Sequence, residues 1–492
     1  MDPVCVRFAP SPTGRTHLGS GRTALYNYLL ARQTGGRFIL RIEDTDRKRY
    51  VPGAENELID SLHWLGIDWD EGPGVGGPNG PYYQTQRKDI YLDYAHQLIE
   101  AGHAYYCFCT QERLEQVRNE QISRKENPRY DGLCRRLDPG EAKARIASGE
   151  KHVVRFKVPD SGSITAHDLI RGDITIDASA LDDHIIVRSD GFALYHLAAM
   201  VDDHLMGVTH VIRSSEWLST FHLHVLIVRA FGWKEPNWVH LSIFLKPSGK
   251  GKMSKRDTSQ VMQDGYSIFI KDLRDLGYIP EGVVNWMALM GWSFDDRTEF
   301  FTLQDLIEKF NLEHLNPAPA AINYTKLDYF NGVHIRCLTQ EDLAMRLTPY
   351  ISQPGYELDK EVLLRAIPII QPRLVTLDDV LPVAGFLFKR DILPNPTDLV
   401  GEDLTALESA KVAHEVYLIF KGLPEINQEL AEQPLRNLAQ QSGLKAGQVF
   451  GIIRNAVTGQ KNSPPIFECM QLIGREKVLE RLESAAEALD KI

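Results

Sequence analysis

Residues 4–20 read VCVRFAPSPTGRTHLGS. The apolar run at 4–8 predicts a buried strand, and the Pro/Gly-rich turn at 9–14 separates it from a helix expected over 19–32. A helix N-terminus has backbone N–H groups without partners and carries the positive end of the helix dipole. A strand, a turn and a helix in this order therefore predict a binding site for an anionic group.

The following residues continue the alternation of strand and helix. Apolar residues at 24, 25, 28 and 29 give the helix one buried face, and Gly35-Gly36 ends it before a second strand at 37–42. This order predicts an α/β fold with a doubly wound parallel sheet, whose ligands bind at the carboxyl ends of the strands. Glu43 directly follows the second strand, so we expect it at that edge.

Length and composition indicate a globular protein of several domains. The 492 residues exceed one ordinary domain, and we expect about three to five units. Hydrophobic residues make up 43% and charged residues 25% of the chain, enough material for several cores. The net charge of −11 argues against indiscriminate nucleic-acid binding, but local basic strips are compatible with a specific RNA partner.

The sequence carries no sign of export. It begins Met1-Asp2-Pro3 without a signal-peptide pattern, and no apolar run approaches the length of a membrane span. The six cysteines are scattered and do not form a disulfide framework; they stand at positions 5, 107, 109, 134, 337 and 469. We therefore expect a cytoplasmic protein with no membrane partner.

A second informative segment is KPSGKGKMSKR, residues 246–256. This glycine-rich loop contains five cations, which suits a mobile clamp on a polyphosphate. For the loop alone, a solvated charged surface is the simpler interpretation. Together with His17-Leu18-Gly19, the loop indicates that both segments bind one nucleotide.

The two segments resemble the paired nucleotide-binding motifs of class I aminoacyl-tRNA synthetases, and further matches indicate the bacterial glutamyl-tRNA synthetase family. The resemblance spans nearly the whole chain and rests on residues 7–14, 17–19, 41–46, 195–197, 201–207, 211–213, 216–217, 252–256, 277–278, 288–292, 447–449 and 454–459. It implies a split Rossmann core, an inserted α+β acceptor-binding module, a stem-contact module and two helical anticodon-binding modules. The expected boundaries are 1–79 and 197–246 (core), 80–196 (insertion), 247–337 (stem contact), 338–385 and 386–492 (anticodon). Apolar residues at three- and four-residue spacing beyond 340 independently predict helices.

Members of this family activate L-glutamate with ATP and Mg²⁺ and transfer it from the adenylate to the 3′ end of tRNA(Glu). Because charge accumulates on the phosphates, positioned cations and hydrogen-bond donors should supply most of the catalysis. The resemblance implies a catalytic set of His17, Gly19, Lys252, Lys255 and Arg256. It implies an ATP-binding set of His17, Gly19, Glu216, Phe244 and Lys255.

Glutamate recognition needs partners for one ammonium and two carboxylates. A guanidinium binds a carboxylate through paired hydrogen bonds and has no acceptor for an amide NH₂, so it favours glutamate over glutamine. The family positions for the amino acid are Arg7, Ala9, Ser11, Glu43, Tyr195 and Arg213. Ala199 departs from the family pattern, which has an asparagine there, so one polar contact is missing or supplied elsewhere.

Two further sites are implied by the resemblance. Cys107, Cys109, Tyr130 and Cys134 have the spacing with which some members bind structural zinc. A phenol is a poor fourth ligand, and three reduced thiols without metal are the alternative. Arg373 matches an arginine of members that read only glutamate anticodons, and we expect it to contact the third anticodon base.

Four other functions are alternatives to this one. A glutaminyl-tRNA synthetase has an anticodon-binding part built of β-barrels, which disagrees with the helical pattern after residue 340. A truncated relative that glutamylates a modified base lacks the C-terminal third. A non-catalytic tRNA-binding paralog and a form that also charges tRNA(Gln) stay open, and we expect a monomer.

Overall fold

The computed structural model describes residues 3–253, 266–392 and 395–492. The chain forms two compact units. Unit 1 contains Met1–Leu273 and Val284–Tyr324, and unit 2 contains Arg274–Val283 and Thr325–Ile492. In the described part of the chain, no helix combines the length and the apolar composition needed to span a bilayer.

Unit 1 contains strands and helices in alternation. Its strands are β1 (Cys5–Phe8), β2 (Arg37–Leu40), β3 (Ala104–Cys107), β4 (Val153–Phe156), β5 (Ser163–Asp168), β6 (Gly172–Asp177), β7 (Ile185–Val187), β8 (His210–Ser214), β9 (Asn237–Leu241), β10 (Phe244–Leu245) and β11 (Ala320–Ala321). Its first helices are α1 (Leu18–Thr34), α2 (Ala54–Trp64), α3 (Lys88–Glu100), α4 (Gln111–Ser123), α5 (Pro139–Ala147), α6 (Tyr195–Leu205) and α7 (Phe221–Ala230). The later helices lie at Ile270–Asp275, Pro280–Leu289 and Leu303–Lys309.

A six-stranded sheet in the order β2-β1-β8-β9-β5-β6 forms the centre of unit 1. The pairs β1–β2, β1–β8, β8–β9 and β5–β9 are parallel, and β5–β6 is antiparallel. The predicted α/β fold with a parallel sheet is confirmed. The sequence did not indicate that β5 and β6, which lie within 80–196, would extend this sheet. The rest of that segment forms a separate sheet in the order β3-β4-β7.

Helix α1 packs on this sheet because its apolar side chains lie on one face. Leu25 and Leu29 are completely buried. The helix ends at Gly35, whose φ of 61° lies in the left-handed region and whose N–H bonds back to the carbonyls of the last turn. The predicted helix at 19–32 therefore lies within Leu18–Thr34, and its N-terminus follows directly from the loop after β1.

The described residues of unit 2 form helices joined by loops and turns and contain no strand. Its α-helices beyond residue 339 are Gln340–Ile351, Lys360–Ile370, Val380–Ala384, Pro396–Leu399, Ala406–Gly422, Gln428–Gln441, Ala446–Thr458, Ile466–Ile473 and Arg475–Leu489, and Tyr324–Cys337 begins at the edge of unit 1. Short 3₁₀ turns include Gln371–Arg373. The helical C-terminal third predicted from apolar spacing is confirmed. The six expected domain boundaries stay a prediction.

Candidate active site

A cavity of about 1200 Å³ lies in unit 1 where the parallel strands end. Its lining includes residues that follow the carboxyl ends of β1, β2, β8 and β9. Eleven of the residues predicted for phosphate, nucleotide and glutamate binding line it: Arg7, Ala9, Ser11, His17, Gly19, Glu43, Tyr195, Arg213, Glu216, Phe244 and Lys252. Lys255 and Arg256 lie outside the described residues. Ala199 is completely buried in the core of unit 1.

His17 caps the N-terminus of α1 with its imidazole. Its Nδ1 accepts hydrogen bonds from the backbone N–H of Gly19 at 3.0 Å and of Ser20 at 3.3 Å. Because Nδ1 accepts, a neutral ring carries its proton on Nε2. The ring therefore presents an N–H donor beside the positive end of a helix dipole, an arrangement suited to a phosphate.

Gly19 is required by this conformation of the histidine. A Cβ at position 19 would lie 2.9 Å from His17 Cε1 and 3.0 Å from His17 Nδ1. A side chain would push the imidazole away from the helix N-terminus. The resemblance implies that Gly19 belongs to the catalytic and ATP-binding sets, and the structure adds this constraint on the histidine.

Both flanks of the cation-rich loop contact the walls of the cavity. On the N-terminal side, Met253 N–H donates to Phe244 O at 2.9 Å. On the C-terminal side, Leu18 N–H donates to Ile268 O at 2.8 Å, and Ile270 N–H donates to Thr16 O at 3.1 Å. Met253 therefore lies beside Phe244, and residues 268–270 lie beside the segment that contains His17.

Lys252 and Phe244 form a second wall. Lys252 Nζ makes an ion pair with Glu216, and both side chains are about half exposed (50% and 54%). Phe244 is buried, and the guanidinium of Arg22 lies 4.1 Å from the centre of its ring. Arg22 also donates to the carbonyls of Ser242 and Met290, so it links these two segments of the chain at the cavity.

Arg7 belongs to a buried network of charges. Its Nε and Nη2 donate to the two carboxylate oxygens of Asp203 at 3.0 and 3.3 Å. Asp203 also pairs with Arg41 at 2.8 Å, and Arg41 approaches Glu43 at 3.4 Å. Because these opposite charges are buried together, their ion pairs hold Arg7 and Glu43 in place at the cavity.

Glu43 has an unusual proton affinity. Burial raises the pKa of its carboxyl to about 7, although Arg41 and Arg7 oppose this shift. Gln84 Nε2 donates to its Oε1 at 3.4 Å. An ammonium group binding beside Glu43 would favour the carboxylate form, so the residue suits the α-amino group of an amino acid.

Arg213 lines the cavity from β8, the strand that pairs with β1. It is 4% exposed, and its Nη1 donates to the hydroxyl of Tyr195 at 3.5 Å. The Tyr195 ring stacks on Trp217 with ring centres 4.0 Å apart. Burial lowers the pKa of the Arg213 guanidinium, but an arginine keeps its charge at neutral pH.

The predicted cysteine cluster is assembled within unit 1. The sulfur atoms of Cys107, Cys109 and Cys134 lie within 4.8 Å of one another. The Tyr130 hydroxyl lies 3.5 Å from Cys107 Sγ and 3.6 Å from Cys109 Sγ. Burial raises the pKa of Cys107, but hydrogen bonds with Tyr130 and Arg155 outweigh burial, and the pKa lies below its usual range.

Arg373 lies in unit 2, in the 3₁₀ turn after helix Lys360–Ile370. Its side chain is exposed, and its Nη1 donates to the carbonyl of Ile369 at 2.8 Å. This hydrogen bond holds the Arg373 guanidinium against the end of the preceding helix. The residue is available to a partner of unit 2.

Comparison with known proteins is consistent along the whole chain. Residues 3–329 match the family described as tRNA synthetases class I (E and Q), catalytic domain, and residues 342–486 match an anticodon binding domain. The glutamate–tRNA ligase of Dehalococcoides mccartyi is 42% identical over 496 residues, covering 99% of both chains. That of Borreliella burgdorferi is 42% identical over 491 residues, covering 98% of both.

The chain belongs to the glutamate–tRNA ligase family. A crystal structure of a glutamate tRNA ligase from Elizabethkingia meningosepticum, in complex with its amino acid, superposes with a TM-score of 0.90 at 35% identity and covers 99% of this chain. The glutamate–tRNA synthetase of Elizabethkingia anophelis gives 0.87 at 34% identity, also covering 99%. The family resemblance seen in the sequence is confirmed.

Two groups of residues in this glutamate–tRNA ligase family member were given no role by the sequence prediction; all are buried except His196, which is partly exposed. One is the set that orients Arg7 and Glu43, namely Arg41, Arg87, Asp202 and Asp203. The other surrounds Arg213 and contains Asp168, His196, His224 and His240. Charged residues within apolar runs, as in 39–43 and 197–203, are the signal that could have indicated the first group. The second group comes from four distant segments and has no local signal.

Proposed function

We propose that this protein is a glutamate–tRNA ligase that activates L-glutamate with ATP and transfers it to the 3′ end of tRNA(Glu). The observation that supports this best is one cavity that contains the helix-capping His17, the buried arginines Arg7 and Arg213 and the buried Glu43. The histidine suits phosphate, and the other three suit the charges of glutamate. Mg²⁺ would be bound with the triphosphate, as hard cations prefer phosphate and carboxylate oxygens.

The first step joins the glutamate α-carboxylate to the α-phosphorus of ATP and breaks the bond to pyrophosphate. The His17 Nε2–H would donate to the phosphates, and Lys252 would exchange its partner Glu216 for them. Glu216 would then be available to the nucleotide ribose. We assign Lys255 and Arg256 to the leaving pyrophosphate. In the second step a terminal hydroxyl of the tRNA attacks the glutamyl carbonyl, and AMP leaves.

Glutamate-dependent exchange of pyrophosphate into ATP, with tRNA present, tests the function. We expect exchange with glutamate and at least about 100-fold less with glutamine, because the arginines match a carboxylate. Arg213→Gln should abolish this preference. If neither amino acid supports exchange, the chain is a non-catalytic tRNA-binding paralog.

We propose that Cys107, Cys109 and Cys134 hold a structural zinc ion with Tyr130 as the fourth group. Zinc–sulfur bonds of about 2.3 Å place tetrahedral sulfurs roughly 3.8 Å apart, and Cys109 Sγ and Cys134 Sγ are 3.5 Å apart. Metal analysis of protein purified from zinc-supplemented cells should give about one zinc per chain. Cys134→Ser should lose the metal, and wild-type protein without zinc would refute the site.

We further propose that Arg373 reads the third anticodon base and restricts the protein to tRNA(Glu). Its support is its exposed position in the anticodon-binding region. Arg373→Gln should widen charging to tRNA(Gln), and Arg365→Gln, an exposed arginine of the preceding helix, is the matched control. Unchanged tRNA preference in Arg373→Gln would contradict the assignment.

We propose a cytoplasmic monomer that binds tRNA with both units. Light scattering of the purified protein should give a mass near 55.7 kDa without tRNA. A mass twice as large would refute the monomer.

A further inference from the structure

Arg213 is held by imidazoles. Its Nε donates to His240 Nε2 at 3.0 Å, and its Nη2 donates to His224 Nδ1 at 3.0 Å. Both histidines are completely buried. Among the described residues, no carboxylate forms a hydrogen bond or an ion pair with Arg213; its third side-chain hydrogen bond goes to the Tyr195 hydroxyl, and its guanidinium lies 5.2 Å from the centre of the Trp238 ring.

The arginine fixes the protonation of this whole group. A guanidinium has donors only, so His240 Nε2 and His224 Nδ1 must be unprotonated acceptors. His240 therefore carries its proton on Nδ1, which lies 2.7 Å from Asp168 Oδ2. His224 carries its proton on Nε2, which lies 2.9 Å from His196 Nδ1.

Burial and nearby positive charge keep these rings neutral. Burial lowers the pKa of His240 to about 4, with Asp168 opposing the shift and Arg213 adding to it. The pKa of His224 lies well below its usual range for the same first cause, followed by repulsion from Arg213. The other charged groups that act on Arg213 are Arg7 and Asp203, and their effects have opposite signs.

Arg7 provides the contrast. Both oxygens of the Asp203 carboxylate accept from its guanidinium, so a negative charge that Asp203 shares with Arg41 lies directly against Arg7. Arg213 has equally buried surroundings, but its partners are neutral. Arg7 and Arg213 therefore differ in the charge that they offer to a ligand.

We propose that His224 and His240 are positioning residues that orient Arg213 without neutralising it, so that its full charge selects the side-chain carboxylate of glutamate over the amide of glutamine. Asp168 accepts a hydrogen bond from His240, and His196 accepts one from His224. These two residues therefore stabilise the tautomers that the contacts with Arg213 require. The inference rests on the proposed role of Arg213 as the partner of that carboxylate.

The test compares His224→Glu with His224→Gln. Both side chains offer an oxygen acceptor to Arg213 Nη2, but only glutamate adds a negative charge beside the guanidinium. In pyrophosphate exchange with tRNA, we expect His224→Gln to raise the KM for glutamate roughly threefold and His224→Glu on the order of 100-fold. The ratio of glutamate to glutamine use should fall in His224→Glu, while the KM for ATP should stay within about twofold of wild type.

The outcomes separate this inference from the proposed function. If Arg213→Gln loses glutamate preference but His224→Glu and His224→Gln behave alike, the proposed role of the neutral histidines is wrong and the proposed function stands. If Arg213→Gln keeps wild-type preference, the assignment of Arg213 itself fails.

A second measurement needs no variant. Nitrogen NMR of histidine-labelled wild-type protein at pH 7 should show a ring protonated at Nδ1 for His240 and at Nε2 for His224, and doubly protonated rings would overturn the proposal.

Discussion

At the scale of single residues, the site shows how burial changes ordinary side chains. His17, Gly19 and the acidic and basic residues of the cavity could be predicted from the sequence because they lie in short contiguous motifs. Their pairing could not be predicted, since Arg7 meets Asp203 only after distant segments fold together. The sequence gives the identity of a buried charge, but its partners depend on the packing of the sheet.

The raised pKa of Glu43 predicts a pH-dependent affinity for glutamate. Below pH 7 the carboxyl becomes protonated in the empty site and loses its attraction for the α-ammonium, because its pKa is about 7. The KM for glutamate should rise by up to about tenfold for each unit below pH 7 and level off above it. Steady-state exchange between pH 6 and 8 measures this. Glu43→Gln should have a high KM that does not change over this range; a wild-type KM that does not vary would contradict the shift.

At the scale of elements, the corner between β1 and α1 carries most of the predictive information. The strand, the turn and the helix start each have local sequence signals, so they were predicted within a few residues. The extension of the sheet by β5 and β6 was missed because β5 pairs with β9, about 70 residues away, through a single parallel register contact. Long-range pairing of this kind has no local pattern.

Gly19→Ala should damage the site but not the fold. The added Cβ would force the His17 ring off the helix N-terminus, because it would lie 2.9 Å from Cε1. We expect kcat/KM for ATP to fall roughly 10- to 100-fold with a melting temperature within a few degrees of wild type. Gly451→Ala is the control, since a Cβ there meets nothing within 4 Å. Equal losses in both variants would show that the effect is not local.

At the scale of the whole molecule, the division into two units follows from two kinds of sequence pattern. Alternating strand and helix signals predicted the sheet of unit 1, and three- and four-residue apolar spacing predicted the helices of unit 2. Each unit has its own buried cluster; in unit 2, Val416, Leu435 and Ile453 belong to one of them. Boundaries are harder to predict because the chain crosses between the units within helices.

The neutral histidines around Arg213 should make the fold sensitive to acid. Burial lowers the pKa of His196 and of His240 to about 4, so between pH 6.5 and 4 the unfolded chain binds more protons than the folded chain. The free energy of unfolding must therefore fall as the pH falls, by on the order of 3 kcal/mol for each such histidine. Glu43 acts in the opposite direction because its pKa is raised.

His196→Asn tests this linkage because the amide oxygen can replace Nδ1 as the acceptor from His224. Denaturant unfolding of unit 1, followed at pH 7 and at pH 4.5, should show a smaller loss of stability in the variant than in wild type. His103→Asn, at an exposed position, is the control. A variant that loses as much stability as wild type would contradict the assignment.

The place of Asp168 at the end of β5 limits how this enzyme can be shortened. That carboxylate comes from the stretch of sequence between β2 and β8 and accepts a hydrogen bond from the His240 ring that holds Arg213. Trimming residues 163–177 to obtain a minimal activating enzyme would remove the carboxylate that holds the Nδ1 side of the His240 ring. The truncated protein would keep His17 at the start of α1, but we expect it to lose its discrimination between glutamate and glutamine.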